Sequence, residues 1–184
     1  MFYVLFSNIA SKGDACKILS DEMGRRASWS CGLDWGMDML EKYVESDGIM
    51  LNVYCKDWQA VVDCGSAPLL RKGMITPFYV EAIKKNHREL GAYMVIAPGI
   101  VLAHARPECG AVGMGLTVLT LSEPVIFGSE MNDPVRLAFT LATPDDSSHL
   151  HLLEALTEFL MRPILVEKLM AADTVARALA ILKE

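Results

Sequence analysis

One histidine stands where an apolar run meets a turn. In Ile96-Ala97-Pro98-Gly99-Ile100-Val101-Leu102-Ala103-His104-Ala105-Arg106-Pro107-Glu108, a short strand-like stretch leads to His104 and a proline-containing turn follows it. An imidazole with an ordinary pKa of about 6.5 is mostly unprotonated near neutral pH, so one ring nitrogen can act as a nucleophile or proton acceptor, including towards a phosphoryl group. Arg106, two residues on, is either a fixed cation for phosphoryl oxygens or an acidic partner, or a solvated loop residue.

Three further histidines are separated by helical geometry. Around a helix of about 100° per residue, His149 shares its direction with Leu153, Leu156 and Leu160 and points inward. His151 falls roughly 200° away and faces solvent. His87 sits at the edge of its helix's apolar stripe and reads as an ordinary surface histidine. The segment Ala142-Thr143-Pro144-Asp145-Asp146-Ser147-Ser148-His149 opens a helix with Ser147 or Ser148 as cap, and a helix N-terminus suits a phosphoryl group. His149 is accordingly either a donor to such a group or a core-rim histidine bonded to backbone.

Other chemistries find little support. Gly110-Ala111-Val112-Gly113-Met114-Gly115 has neither Walker spacing nor a GxGxxG between strand and helix, and it reads as a turn into a strand. Neither HExxH nor a GxSxG elbow occurs. A net charge of -6, with paired cations only at Arg25-Arg26, Arg71-Lys72 and Lys84-Lys85, argues against nucleic acid. The five cysteines, Cys16, Cys31, Cys55, Cys64 and Cys109, form no CxxC pair and fit a reducing cytoplasm without disulfides or zinc. The apolar opening Phe2-Tyr3-Val4-Leu5-Phe6 lacks a preceding cation and is too short for a signal peptide. No uninterrupted run reaches the roughly 20 apolar residues of a membrane span, so direct membrane insertion is not expected.

The elements that must position these residues follow from periodicity. With 184 residues and 52% hydrophobic content, one main domain is expected. Residues 1-38 carry Trp29 and Trp35 without a sustained period and stay unassigned; residues 39-184 form the domain. A first helix is expected over Met37 to Val44 and a strand over Ile49 to Cys55. A helix capped by Asp57 follows, carrying the stripe Trp58, Val61, Val62, Gly65 and Leu69, with Pro68 kinking or shortening its last turn. Thr76-Pro77 opens another helix, with Thr76 as N-cap, that closes at Gly91. Tyr93 to Ile96, Ile100 to Ala103, Leu116 to Leu121, Arg136 to Ala142 and, more weakly, Val125 to Phe127 are short apolar strands; helices over His149 to Met161, Ile164 to Ala171 and Val175 to Leu182 end the chain. Interleaved strands and helices give an α/β fold, a three-layer domain with a mixed, mainly apolar sheet flanked by helices.

Motifs in register from Met39 to the C-terminus add a resemblance. Thr76-Pro77-Phe78-Tyr79-Val80, Ala97-Pro98-Gly99, Gly99-Ile100-Val101-Leu102-Ala103-His104, His104-Ala105-Arg106-Pro107-Glu108, Asn132-Asp133-Pro134-Val135 and Ser148-His149-Leu150 resemble the enzyme IIA component of the bacterial phosphoenolpyruvate sugar phosphotransferase system. The class is the mannitol and fructose one (type 2), and the Ala-Pro-Gly and Arg-Pro-Glu signatures are most similar to its ascorbate branch. The resemblance implies the mannitol-type enzyme IIA fold and a cytoplasmic phosphotransferase acting through a phosphohistidine. His104 falls on the family's phosphorylated histidine and His149 on a second histidine near it. The implied donor is the histidine-containing phosphocarrier protein. The implied acceptor is a cysteine of enzyme IIB, with membrane enzyme IIC engaged only indirectly and no metal or cofactor required. Ala103 stands where the family usually has Pro. The mannitol type carries an arginine on the preceding helix, and the matching position here is Asn86, with Arg88 two residues on. Rival readings are a regulatory IIA-like protein whose phosphorylation state controls a partner, a metal-dependent hydrolase using His104, His149, Asp145 and Cys109, and an inactive copy.

Overall fold

The computed structural model describes residues 40–184, the side chain of Asp146 excepted. Within them five strands, β1 (Ile49–Val53), β2 (Val95–Ala97), β3 (Ile100–Ala103), β4 (Gly115–Val125) and β5 (Val135–Ala142), form one mixed sheet in the order β1-β4-β5-β3-β2. β1 runs parallel to β4 and β3 parallel to β5, while β4 with β5 and β2 with β3 are antiparallel. Five α-helices accompany the sheet: α1 (Trp58–Arg71), α2 (Pro77–Leu90), α3 (Asp146–Leu160), α4 (Pro163–Met170) and α5 (Val175–Leu182). Among the described residues no helix is long and apolar enough to cross a membrane.

The two-residue alternation of the strands divides the interior into two cores. Ile100 and Leu102 of β3 and Leu137, Phe139 and Leu141 of β5 bury against Leu152 and Leu156 of α3, Leu165 and Leu169 of α4 and Ile181 of α5. The residues between them, Val101, Ala103, Ala138 and Ala142, face Val61, Val62 and Leu69 of α1 and Tyr79 and Ile83 of α2. Both faces of the central strands are therefore dry, which is why they read as unbroken apolar runs. Small residues on the second face let α1 approach closely. A Cβ at Gly65 would overlap Thr140 Oγ1, and the Gly65 carbonyl accepts from the Thr117 hydroxyl at 2.7 Å.

Several boundaries differ from the sequence expectation, each for a local reason. Leu40–Tyr43 forms a single 3-10 turn; Met37 to Met39 lie outside the described residues, as do Cys16, Cys31 and the tryptophans of the opening segment. β1 ends at Val53, before Cys55. β2 is Val95–Ala97 and leaves Tyr93 free of the sheet. Val125 is not a separate strand but the end of β4, paired with Val135 after a register shift. α1 continues through Pro68 to Arg71. A proline this near the end removes one intrahelical bond, its ring is buried, and its carbonyl still accepts from Lys72 N–H at 3.2 Å. Thr76 occupies the N-cap of α2, but its hydroxyl makes no capping bond; its N–H instead donates to the Gly110 carbonyl at 2.9 Å and ties α2 to the turn after His104.

α3 begins at Asp146, three residues earlier than expected, and Asp145 is the cap. Its carboxylate accepts from Ser148 N–H and from the Ser148 hydroxyl, both at 2.8 Å, and a charged acceptor outcompetes the Ser147 or Ser148 hydroxyl for that position. His87 is buried and not a surface histidine. Its ring centre lies 4.2 Å from that of Trp58 and 5.7 Å, edge-on, from that of Phe127. The Asn132-Asp133-Pro134-Val135 motif is a loop organiser. Asp133 accepts from the N–H groups of Phe127, Gly128 and Ser129 across the Gly128 turn (φ 90), while Asn132 donates its side-chain N–H to the Val95 carbonyl.

Candidate functional site

β3 ends at Ala103, paired with Thr140 of β5, and the next residue in the alternation is His104, of the same parity as Ile100 and Leu102. Its ring is thereby aimed to the face that α3 covers. Nδ1 lies 3.0 Å from the carbonyl oxygen of Leu102. A carbonyl only accepts, so Nδ1 carries the hydrogen and the neutral ring has its lone pair on Nε2. His104 is half-buried. That burial pulls its pKa below the ordinary histidine value; the Leu102 carbonyl opposes the shift and the His149 ring reinforces it. The ring is thus neutral and nucleophilic at pH 7.

Tyr79 holds the chain immediately after it. The hydroxyl, buried beneath the ends of β3 and β5, accepts from Ala105 N–H at 3.1 Å and lies 3.0 Å from the Ala105 carbonyl and 2.9 Å from that of Leu141, to either of which it can donate. Burial pushes its pKa up to about 12, so it stays a hydroxyl. Backbone on both sides of His104 is therefore pinned, by the Thr140 pairing before it and by Tyr79 after it, with Ala103 in place of a proline. Tyr79 lies within the Thr76-Pro77-Phe78-Tyr79-Val80 motif, but only the polar tip of an otherwise apolar side chain hinted at this clamp.

β5 then carries the chain through Thr143 into α3, whose first turn brings His149 to the site. The two histidine ring centres are 5.8 Å apart, inclined at 40°. His149 Nδ1 lies 3.2 Å from the hydroxyl of the buried Thr143. Tyr93, released from the sheet by the shortness of β2, sets its ring edge-on to His104 at 6.2 Å with Asn86 beside its hydroxyl. Neither Tyr93 nor Thr143 carried a sequence signal. Both reach the site through contacts between distant segments.

Arg106 extends into solvent with its side chain 83% exposed, and it pairs with Glu108 at 3.8 Å. Arg88 is also exposed, on α2 beside the buried His87. Asp145 is committed to capping α3, with hydrogen bonds from Ser148 holding its carboxyl below the ordinary value. Among the described residues no three His, Cys, Asp or Glu side chains gather as a metal site needs, so the hydrolase set is not assembled. Cys55, Cys64 and Cys109 are free thiols.

Removing the Tyr79 hydroxyl tests the clamp. Tyr79→Phe strands the Ala105 N–H and removes the one hydrogen that the two carbonyls share, and should lower unfolding free energy by about 1–3 kcal/mol in urea titrations; an unchanged midpoint would contradict the clamp. Burial depresses both His87 and His104, so above about 6.5 each is neutral folded or unfolded and contributes no pH dependence. As pH falls through about 6.5 the unfolded chain takes up protons that the folded chain refuses, and stability declines until the depressed values are passed. Denaturation midpoints should hold level from about pH 7.5 to about 6.5 and fall from there to about 5.5, less steeply in His87→Phe; a profile that stays flat or rises below about 6.5 would refute the assignment.

With this geometry in hand, comparison with known proteins gives a consistent result. The family described as "Phosphoenolpyruvate-dependent sugar phosphotransferase system, EIIA 2" matches residues 42–184. The chain is 34% identical over 135 residues to the mannitol-specific cryptic phosphotransferase enzyme IIA component of Escherichia coli (strain K12), covering 73% of this chain and 91% of that protein. It is 35% identical over 113 residues to the ascorbate-specific enzyme IIA component of Salmonella typhi, covering 61% of this chain and 73% of that one. The solution structure of the mannitol-specific cryptic enzyme IIA from Escherichia coli superposes with a TM-score of 0.72 at 33% identity, over 79% of this chain and 98% of that one. A histidine presented at the end of a parallel strand pair, on a fold shared with these proteins, belongs to a chain that is a member of the type-2 enzyme IIA family of the sugar phosphotransferase system.

Proposed function

We propose that the chain is a cytoplasmic phosphoryl relay in which Nε2 of His104 accepts phosphate from the histidine-containing phosphocarrier protein and yields it to a cysteine thiolate of enzyme IIB, for sugar uptake through membrane enzyme IIC. The observation that carries this reading is the bond from His104 Nδ1 to the Leu102 carbonyl. It leaves Nε2 bare, beside a second imidazole, on a ring kept neutral by burial. In the first transfer the Nε2 lone pair forms the new N–P bond as the donor's N–P bond breaks. In the second, sulfur attacks phosphorus and the ring departs with its lone pair restored. A loosely bonded, metaphosphate-like group asks for alignment and charge stabilisation more than covalent assistance.

His149 supports the transferred group through a ring N–H and through its place in the first turn of α3, at the positive end of the helix dipole. Arg106, exposed and loosely paired, serves the visiting protein and its phosphate more than the resting site. Exposed apolar side chains sit on the segments that build the site: Phe78 next to Tyr79, Tyr93 against His104, and Leu150 next to His149. They suit two partners that dock in turn and leave. The transported sugar is not bound by this chain; the Ala-Pro-Gly and Arg-Pro-Glu motifs favour a substrate of the ascorbate type.

Reconstitution tests the relay. Incubated with phosphoenolpyruvate, enzyme I and the phosphocarrier protein, the wild type should acquire an acid-labile phosphate and His104→Ala none. His149→Ala should still be modified but transfer about 10- to 100-fold more slowly, the loss of one charge-assisted hydrogen bond. A wild type that stays unmodified in a working relay sinks the proposal.

A further inference from the structure

Thr143 lies between the last residue of β5, Ala142, paired with Gly115, and Asp145, the cap of α3. Its backbone is held from both sides and its side chain is buried. The hydroxyl faces Nδ1 of His149 at 3.2 Å. We propose that Thr143 is a positioning residue whose hydroxyl donates to His149 Nδ1 and thereby sets that ring as its Nε2–H tautomer, the reverse sense to the lone pair that Leu102 leaves on Nε2 of His104. The inference rests on the relay reading of His104 and names the device that makes its neighbour a donor.

The two ring partners differ in what they can do. The Leu102 carbonyl only accepts, so it forces a hydrogen onto Nδ1 of His104 and frees Nε2 as nucleophile. A threonine hydroxyl can donate, and when it does so the hydrogen of a neutral His149 must sit on Nε2. Two considerations select donation. The positive end of α3 lies at the backbone of His149, and it stabilises a lone pair on the nearer ring nitrogen, Nδ1. A phosphoryl group on His104 presents only oxygen acceptors, which a bare Nε2 would repel and an Nε2–H would bond. With ring centres 5.8 Å apart, the pair then consists of one nucleophile and one donor. The hydroxyl is the smallest group that can impose this without adding a charge beside an incoming phosphate.

Nitrogen-15 correlation spectra of the unphosphorylated chain report each tautomer directly. Wild-type His149 should show its hydrogen on Nε2, Thr143→Val a mixture of tautomers, and Thr143→Ser a return to the single form. In the reconstituted relay, Thr143→Val should lower the turnover of phosphoryl transfer to enzyme IIB about three- to tenfold with little change in the concentration of enzyme IIB giving half-maximal rate, and Thr143→Ser should restore it. A wild-type His149 with its hydrogen on Nδ1, or a Thr143→Val protein that transfers at the wild-type rate with an unchanged tautomer, overturns the inference. If His104 takes no phosphate in the wild type, the relay reading falls instead; the spectra of the resting protein still decide whether Thr143 sets the ring.

Discussion

His104 reaches back two residues along its own strand and gives its Nδ1 hydrogen to the Leu102 carbonyl at 3.0 Å. A single short contact decides which nitrogen is nucleophilic, and it survives only if the chain turns at one place and in one direction. β3 supplies the straight approach through its pairing with β5. Tyr79 supplies the stop by binding Ala105 and Leu141 together. The clamp joins the segment that carries His104 to the strand that leads to Thr143 and His149, so the separation of the two rings is set by the same few hydrogen bonds that end the sheet.

The site also depends on the sheet being covered on both faces. Even-numbered residues of β3 bury against α3, α4 and α5, and odd-numbered ones against α1 and α2. Shifting β3 by one residue would send His104 to the wrong face, and with both faces closed by large apolar side chains such a slip is costly. Core packing and the register that places His104 are in this sense one constraint. Burial contributes a second effect, since the partial enclosure that fixes the ring also disfavours its protonation. Placing the histidine at a strand end satisfies both demands and leaves the residue half-buried.

Periodicity and end signals made much of this legible. The stripe of Val61, Val62, Gly65 and Leu69, the Asp57 cap and the glycine stop at Gly91 are local physics, and the structure reproduces them. The position of His104 at the mouth of an apolar strand was readable for the same reason. What escaped the sequence depends on neighbours far away along the chain. His87 looked superficial until Trp58 and Phe127 closed over it, and the role of the Tyr79 hydroxyl exists only because two strand ends converge on it. The start of α3 was misplaced because Asp145 and the serines are all competent caps, and their order is settled by charge and backbone geometry more than by residue type. Pro68 shows the converse: a strong local breaker overruled by burial and by bonds on either side of it.

The atom that carries the phosphate tests the account most directly. Phosphorylated protein with nitrogen-15-labelled histidines should show phosphorus coupled to Nε2 of His104, with Nδ1 still protonated and bonded to Leu102. Phosphorus attached to Nδ1, or to another histidine while His104 stays unmodified, would contradict it.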